Sequence, residues 1–182
     1  MGKFIIWGCG GHAREILHLC EQLKLDVIGF LDERPKMKGS IVNGIPVLGD
    51  IDDITQLKGT VEIICSGVGD PALRKKFVRK TVEAGFKIAD SRIHPSVYMS
   101  KHNKIGVGSV ICEGVILTTN IEIGDFVIIN RGANISHDDK IGNYVTIGPG
   151  VNMAGNVHVG EGAYIGIGAS IREKIKIGSN SV

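Results

Sequence analysis

Aromatic residues, net charge and long apolar runs are all scarce in this sequence of 182 residues. Aromatics make up 5% of the chain, which leaves few surfaces for stacking the bases of a single-stranded nucleic acid. The formal net charge is +2, too small to attract a nucleic acid or an anionic membrane. No apolar stretch approaches the ~20 residues that a membrane-spanning helix needs. We therefore expect neither a nucleic acid nor a membrane as a partner.

Cysteine is also rare, and the four cysteines are widely spaced at Cys9, Cys20, Cys65 and Cys112. No two of them follow the Cys-x-x-Cys spacing of zinc or redox sites. The N-terminal residues lead directly into an apolar segment and carry no signal-peptide cleavage pattern. These features predict a cytoplasmic protein with reduced thiols.

A period of six residues runs through the second half of the chain. From Ile93 to Ile177 every sixth residue is Ile, Leu, Val or Met, without one insertion. Fifteen such residues in succession do not arise by chance when 43% of the chain is hydrophobic. These residues, called anchors below, are Ile93, Met99, Ile105, Ile111, Leu117, Ile123, Ile129, Ile135, Ile141, Ile147, Met153, Val159, Ile165, Ile171 and Ile177.

Glycine follows every third anchor, so that three hexads form one repeating unit. The physical interpretation is a triangular coil, in which each hexad gives a short strand and a turn and the anchors fill the interior. Successive coils would pair through backbone hydrogen bonds about 4.8 Å apart. Residues 93–182 therefore predict five coils of a parallel β-helix. The glycines are Gly106, Gly124, Gly142, Gly160 and Gly178.

Residues 1–92 lack this period and alternate apolar strands with helices. Alternation of this kind predicts a small parallel, Rossmann-like sheet. The chain is thus predicted as α/β plus β-solenoid, with domains at 1–92 and 93–182. The predicted strands are Lys3–Gly8, Asp26–Leu31, Ile45–Leu48, Val61–Cys65 and Lys87–Asp90, and the predicted helices are Gly10–Leu25 and Pro71–Ala84.

A glycine-rich turn, Gly8–Ala13 (GCGGHA), lies between the first strand and the first helix. Its Gly-x-Gly-x-x-Ala spacing fits a turn whose backbone approaches a pyrophosphate at a helix N-terminus. Asp32 ends the second strand, where a carboxylate can accept a hydrogen bond from a ribose hydroxyl. In so small a domain a nucleotide-linked sugar fits better than NAD. A tight turn that binds nothing remains the alternative.

A second candidate site is the segment 130–138 (NRGANISHD), in which His137 and Asp138 fall in the middle of a hexad. Acyl transfer to an amine or a hydroxyl needs a base, and histidine is suited to this near neutral pH. An adjacent carboxylate can fix the imidazole tautomer. An ordinary surface pair of His and Asp is the alternative.

Zinc is the competing use of histidine on a β-helix. Resemblance to the γ-class carbonic anhydrases would require three histidines that converge on the metal. The positions one coil before and one coil after His137 are Thr119 and Gly155. We therefore predict no metal.

The order of GCGGHA, FLDE, a short α/β domain, and hexads that contain N-x6-H-D and AGNV resembles the sugar O-/N-acetyltransferase family. This family includes sialic acid O-acetyltransferases and nucleotide-amino-sugar N-acetyltransferases. The resemblance implies a left-handed β-helix, a homotrimer, and acetyl-CoA in the groove between neighbouring β-helices. It implies N-acetylation of a nucleotide-linked amino sugar by direct attack. O-acetylation of sialic acid or another sugar hydroxyl, and a non-catalytic β-helix that binds nucleotide-sugars or serves assembly, remain open.

The same resemblance implies roles for individual residues. His137 would be the general base and Asp138 its orienting carboxylate, with Asn130 beside the site. Gly155 would offer its backbone N–H to the thioester oxygen, since only a residue without a side chain lets the ligand approach so closely. Contacts with the nucleotide-sugar would come from Gly10, Gly11, His12 and Asp32.

Two features depart from the family pattern. Relatives usually continue for one or more hexads, so we expect the β-helix to be incomplete at the C-terminal side of Val182. Asp139 stands at an inward position where small apolar residues are usual, and the sequence offers no account of this carboxylate.

Overall fold

The computed structural model describes residues 2–182, which form two compact units. The first unit runs to Gly69 and includes Leu73–Ala89. The second contains Asp70–Ala72 and Asp90–Val182. No helix within residues 2–182 has the length and apolar character that crossing a membrane requires.

The first unit is built on a six-stranded sheet. Its strands are β1 (Lys3–Trp7), β2 (Asp26–Leu31), β3 (Ile41–Val42), β4 (Ile45–Gly49), β5 (Val61–Ile64) and β6 (Lys87–Ile88). The strand order is β3-β4-β2-β1-β5-β6, and all neighbours are parallel except β3 and β4. The helices are α1 (Gly11–Gln22) and α2 (Pro71–Glu83), with 3-10 turns at Pro35–Met37, Ile51–Leu57 and Cys65–Gly67.

The short hairpin β3–β4 is absent from the sequence prediction. Its two-residue turn is Asn43-Gly44, with positive φ at both residues, 47° and 79°. Asn-Gly with this geometry is the strongest local signal for a two-residue hairpin, because its twist matches that of the strands. The hairpin was missed because β3, with two residues, is too short to show a hydrophobic pattern, whereas β4 corresponds to the predicted strand Ile45–Leu48.

Helix α1 ends three residues before its predicted end. Lys24 adopts the left-handed conformation, with φ of 57°, which stops the helix. The apolar side of α1 packs as predicted: Ile16, Leu17 and Cys20 are all buried.

The second unit consists of two-residue strands, each of which ends on a predicted anchor. Because each anchor points inward, the anchors of the middle coils form one continuous apolar core. Full burial of such a side chain contributes about 1.5–3 kcal/mol. The strands are β7 (Arg92–Ile93), β8 (Tyr98–Met99), β9 (Lys104–Ile105), β10 (Val110–Ile111), β11 (Ile116–Leu117), β12 (Glu122–Ile123), β13 (Ile128–Ile129), β14 (Asn134–Ile135), β15 (Lys140–Ile141), β16 (Thr146–Ile147), β17 (Asn152–Met153), β18 (His158–Val159), β19 (Tyr164–Ile165), β20 (Ser170–Ile171) and β21 (Lys176–Ile177).

These strands form three parallel sheets of five strands each. The first face contains β7, β10, β13, β16 and β19, the second begins at β8, and the third begins at β9. Partner residues are three hexads apart, as in the pair Ile111 and Ile129. Residues one coil apart therefore lie above one another, and this register places the candidate site.

The turns repeat one backbone conformation. From Gly108 to Asn180, every sixth residue has a positive φ. Glycine, Asn and Asp hold most of these positions because they adopt the left-handed region at low cost. Asp138, with φ of 63°, is one of them. The turn geometry therefore fixes the backbone beneath the candidate carboxylate.

The glycines that follow every third anchor have a different cause. A Cβ at Gly142 would lie 2.7 Å from the backbone nitrogen of Glu161 and 3.1 Å from the carbonyl carbon of Gly160, in the next coil. The backbones of successive coils come too close at this corner for any side chain. Glycine therefore recurs once per coil because the backbone at the end of each third-face strand leaves no room for a side chain.

Candidate active site

His137 and Asp138 lie on the turn between β14 and β15, at the corner of the second and third faces. Nδ1 of His137 is 2.8 Å from Oδ2 of Asp138. The hydrogen bond from His137, followed by one from Asn120, lowers the pKa of Asp138 below its usual value. An ionised carboxylate can only accept, so Nδ1 carries the proton and Nε2 is able to accept one. The pair thus has the geometry of a base with its orienting group.

Asn120 is a member of this site that the sequence prediction missed. Its Nδ2 donates to Oδ1 of Asp138 at 3.2 Å, from the coil below. The two oxygens of Asp138 are therefore held by different partners, one on each coil. The available signal was the spacing, because Asn120 stands one full coil before Asp138.

Gly155 lies one coil above His137. A Cβ at residue 155 would be 2.6 Å from Nε2 and from Cε1 of His137, so the imidazole occupies the space that a side chain would need. The adjacent N–H of Asn156 donates to the His137 carbonyl oxygen at 3.0 Å. Among residues 2–182 the N–H of Gly155 has no hydrogen-bond partner. A backbone donor is thus available beside the nitrogen that accepts a proton.

Asn130 is not brought into contact with this pair. It follows β13 on the first face, and its Nδ2 donates to the carbonyl oxygen of Ile147 at 2.8 Å. The side chain is 7% exposed, and no hydrogen bond within residues 2–182 joins it to His137. Its predicted role beside the site stays a prediction.

The structure gives Asp139 an explanation that the sequence did not. The side chain is fully buried, and Oδ1 accepts the N–H of Val157 at 2.7 Å. Within residues 2–182 Oδ2 is buried without a hydrogen-bond partner. Burial raises the pKa of Asp139 to about 6, although the hydrogen bond from the Val157 N–H opposes the rise.

This raised pKa predicts a pH-dependent cost in stability. The pKa of Asp139 is about 6 in the folded protein against a usual 3.8, so stability is lost as the pH rises from about 4 to about 6 and changes little above that. Relative to Asp139→Asn, the wild type should lose about 2 kcal/mol of unfolding free energy between pH 4.5 and pH 7.5. The charged neighbours His137 and Asp138 are the same in both proteins. Urea unfolding at pH 4.5 and 7.5 measures the difference, and a difference that does not change with pH would contradict it.

The other predicted residues converge in the first unit. A cavity of about 340 Å³ is lined by the glycine-rich turn, by Asp32–Arg34, by Gly67–Gly69, and by Leu73 and Phe77. It contains all four predicted substrate contacts, Gly10, Gly11, His12 and Asp32. A cavity of this size suits a nucleotide or a comparable small molecule.

The backbone of the glycine-rich turn faces open space. Gly10 caps α1 without any side-chain bond, and a Cβ there would meet nothing within 4 Å. The first N–H groups of the helix can therefore receive an anion. Gly8 has φ of 89°, which favours glycine, and its Cβ would lie 2.9 Å from Val68. Burial lowers the pKa of His12, so this side chain is neutral near pH 7.

Asp32 is held by an arginine that the sequence prediction missed. Arg34 donates from Nε to Oδ1 at 2.8 Å and from Nη2 to Oδ2 at 2.7 Å, while the Cys9 thiol donates to Oδ2 at 2.9 Å. The hydrogen bonds from Arg34 lower the pKa of Asp32 to about 2. A ribose hydroxyl would share this carboxylate with Arg34. A basic residue two positions after a strand-ending acid was the signal.

A fully buried arginine also supports the cavity. Nη1 of Arg74, on α2, donates to the carbonyl oxygens of Val68 at 2.9 Å and Gly69 at 3.1 Å. These bonds fix the loop that forms one wall. Arg74 is absent from the predicted site.

Residues 2–182 contain no group of three His, Cys, Asp or Glu side chains that could hold a metal ion. Burial raises the pKa of Cys9 to about 11 and that of Cys65 to about 12, so neither thiol is a ready nucleophile near pH 7.

This site has the features of a hexapeptide-repeat acyltransferase. They are a coil built from hexads, an outward His–Asp pair, and a glycine one coil above the histidine. The first unit confirms a more particular relationship, because residues 3–81 match the PglD N-terminal domain family. The chain belongs to the family of acetyl-CoA-dependent sugar acetyltransferases, as the solved structures below establish.

Perosamine N-acetyltransferase from Caulobacter crescentus, as a His-to-Asn variant with CoA and GDP-perosamine, is 32% identical with a TM-score of 0.89. The match covers 99% of this chain and 84% of that chain. The acetyltransferase domain of PglB from Neisseria gonorrhoeae, in complex with acetyl coenzyme A, is 31% identical with a TM-score of 0.81. That match covers 97% of this chain and 85% of the other. A search of curated proteins found no match.

These similarities confirm the predicted family and the predicted fold class, a small Rossmann-like domain followed by a left-handed parallel β-helix. They also confirm that the chain is an acyltransferase. The neighbours were crystallised with CoA or acetyl-CoA, in agreement with acetyl-CoA as the predicted co-substrate.

Proposed function

We propose that this protein transfers the acetyl group of acetyl-CoA to the amino group of a nucleotide-linked sugar. The observation that carries this proposal is the stacking of His137, with Nδ1 held by Asp138, directly beneath the bare backbone of Gly155. This arrangement provides a proton acceptor and an oxyanion donor on adjacent turns. The cavity at the glycine-rich turn supports a nucleotide-linked acceptor.

The proposed reaction is direct attack in a ternary complex. The sugar amine attacks the thioester carbonyl carbon while Nε2 of His137 takes a proton from the attacking nitrogen. Negative charge on the carbonyl oxygen is stabilised by the N–H of Gly155. Collapse of the tetrahedral intermediate breaks the C–S bond, and His137 returns the proton to the CoA sulfur.

Asp138 stabilises the imidazolium that forms during this step. Its pKa is lowered by His137 and Asn120, so it remains ionised throughout. The proposal needs no acyl-enzyme intermediate, and all four cysteines are buried.

The glycine-rich turn would hold the nucleotide. N–H groups at the start of α1 would contact the diphosphate, with Gly10 and Gly11 providing a bare backbone. His12 would line the cavity as a neutral side chain, and Asp32 with Arg34 would contact the ribose. In this proposal residues 1–92 form the nucleotide-sugar-binding domain and residues 93–182 the acyltransferase domain.

We also propose a homotrimer in the cytoplasm. Tyr98 and Ile116, paired on adjacent strands of the second face, are large apolar side chains that are 72% and 40% exposed. Burial against another subunit would remove this apolar surface from water. Sedimentation analysis would test the assembly. The four cysteines are buried thiols without disulfides among residues 2–182, which suits a reducing compartment.

The test is thiol release from acetyl-CoA with a panel of acceptors. The panel contains a GDP-linked amino sugar, a UDP-linked amino sugar, each amino sugar without its nucleotide, and sialic acid. We expect turnover with a nucleotide-linked amino sugar and at least ~10²-fold lower kcat/KM for the same sugar alone, because the cavity contacts are lost. Turnover with sialic acid alone would replace this proposal with O-acetylation. Binding of CoA without turnover on any acceptor would favour a non-catalytic protein.

A further inference from the structure

The residue four positions after an anchor is buried in the middle coils. In several hexads its backbone N–H makes one of two kinds of hydrogen bond. In several turns it donates to the carbonyl oxygen three residues back, as Ala133 does to Asn130 at 3.4 Å and Ala163 to Gly160 at 3.3 Å. In other turns it donates to a side chain one full coil earlier. We call this second arrangement an inter-coil bond.

Four inter-coil bonds of this type occur in residues 2–182, and that of Asp139 is the shortest. Val157 donates to Oδ1 of Asp139 at 2.7 Å. Its acceptor is the one carboxylate among them. The others are Ser109 N to Ser91 Oγ at 3.0 Å, Ile121 N to Asn103 Oδ1 at 3.0 Å, and Val127 N to Ser109 Oγ at 2.9 Å.

The inter-coil bond of Asp139 joins the two turns of the candidate active site. Asp139 comes two residues after His137, and Val157 comes two residues after Gly155. Together with the bond from Asn156 to the His137 carbonyl oxygen, it fixes the upper turn on the lower one.

The fold itself does not need a carboxylate at this position. Val145, Val151 and Val157 occupy the equivalent place in later hexads and are fully buried. A buried carboxylate with Oδ2 unpartnered among residues 2–182 is destabilising in comparison. A group that lowers stability next to a reactive site is a candidate for a functional role.

We propose that Asp139 is a positioning residue for acetyl transfer, whose bond to the Val157 N–H sets the Gly155 N–H against the His137 imidazole. The proposal rests on the function proposed above. Asp139 does not touch the substrate; it acts through the backbone of residues 155–157.

The reaction depends on the distance between the Gly155 N–H and Nε2 of His137. Proton transfer to Nε2 and charge on the carbonyl oxygen develop in the same step, so base and donor must be placed together. Active sites hold such groups within about 0.5 Å of the productive geometry. A displacement near 1 Å can cost about 10²-fold in rate. Three hydrogen bonds join residues 155–157 to the coil below: Asn156 N–H to the His137 carbonyl oxygen, Val157 N–H to Asp139, and Lys140 N–H to the Val157 carbonyl oxygen. Loss of the one made by Asp139 should therefore lower kcat about 10-fold or more.

The test compares Asp139→Val, Asp139→Asn and Ser109→Val. Asp139→Val removes the inter-coil bond with a side chain that the fold uses at equivalent positions. We expect kcat to fall about 10-fold, KM for acetyl-CoA to stay within about 2-fold, and Tm to be equal or higher. Asp139→Asn keeps an oxygen that can accept from Val157, so kcat should remain within about 3-fold of wild type.

Ser109→Val is the matched control. It removes an inter-coil bond of the same kind, donated by the Val127 N–H, at a different corner of the coil, together with the bond from Ser109 Oγ to the Gly124 carbonyl oxygen. We expect its kcat to equal that of wild type. A loss equal to that in Asp139→Val would assign the effect to the fold in general and overturn the proposal.

Amide hydrogen exchange separates this proposal from the proposed function. The N–H groups of Asn156 and Val157 should exchange about 10-fold faster in Asp139→Val than in wild type, whether or not any acceptor is acetylated. Unchanged exchange, wild-type kcat in Asp139→Val, or an equal loss of kcat in Asp139→Asn would each overturn it. If the wild-type protein acetylates no acceptor but the amides of Asp139→Val exchange faster, the proposed acetyl transfer is wrong. The hydrogen bond of Asp139 would still be shown to hold the two turns together.

Discussion

Replacement of His137 by alanine is expected to lower kcat for acetyl transfer by about 10²–10⁴-fold. The side chain contributes a nitrogen that can accept a proton, because Nδ1 is committed to Asp138 at 2.8 Å. Without it, the attacking amine must lose its proton to water. The loss should shrink at alkaline pH for an amine acceptor, since more of the amine is then already unprotonated.

His158→Ala is the matched control for this experiment. His158 is exposed on β18 of the third face and has no part in the candidate site. Its removal should leave kcat unchanged. Calorimetry should show that His137→Ala still binds acetyl-CoA. A variant that retains more than a tenth of wild-type kcat would exclude His137 as the base.

Replacement of Gly155 by alanine is expected to reduce kcat about 10²-fold or more. The new Cβ would be 2.6 Å from Nε2 of His137, closer than any van der Waals contact allows. The imidazole is 57% exposed, so it can rotate away and give up its bond to Asp138. The methyl group would also occupy the approach to the Gly155 N–H. Base and oxyanion donor should thus be lost through one substitution.

Because the His137 imidazole is exposed, Gly155→Ala should have only a small effect on stability. Because the ring can move into solvent, we expect the free energy of unfolding to change by no more than about 0.5 kcal/mol. Gly166→Ala is the control, since a Cβ there meets nothing within 4 Å and its φ is not positive. Activity of Gly155→Ala within about 3-fold of wild type would show that this turn does not contact the acyl group.

The β-helix could be predicted from sequence almost residue by residue. Anchor positions depend on burial alone, and each predicted anchor ends an observed strand. The pairing of His137 with Gly155 followed from the same spacing of three hexads. The handedness could not be derived in this way, because the period is the same for either hand, and it came from family resemblance.

Side-chain partners leave at most a spacing in the sequence, and the spacing alone does not identify them. The bond from Asn120 to Asp138 requires knowing which side chains of adjacent coils face each other. The pair of Arg34 and Asp32 depends on how the chain turns after β2. The inward carboxylate of Asp139 was visible as an exception, but its partner, Val157, is a backbone group and leaves no sequence signal.

The stacking of identical coils makes the site sensitive to the length of one segment of chain and indifferent to the length of others. His137 and Gly155 face each other because one full coil separates them. A single-residue insertion between them would rotate the glycine away from the imidazole, whereas a whole extra coil after β20 would leave both in place. Evolution can therefore lengthen such a protein in steps of one whole coil without altering its chemistry. The number of residues between His137 and Gly155 cannot change, because it sets the distance between the base and the oxyanion donor.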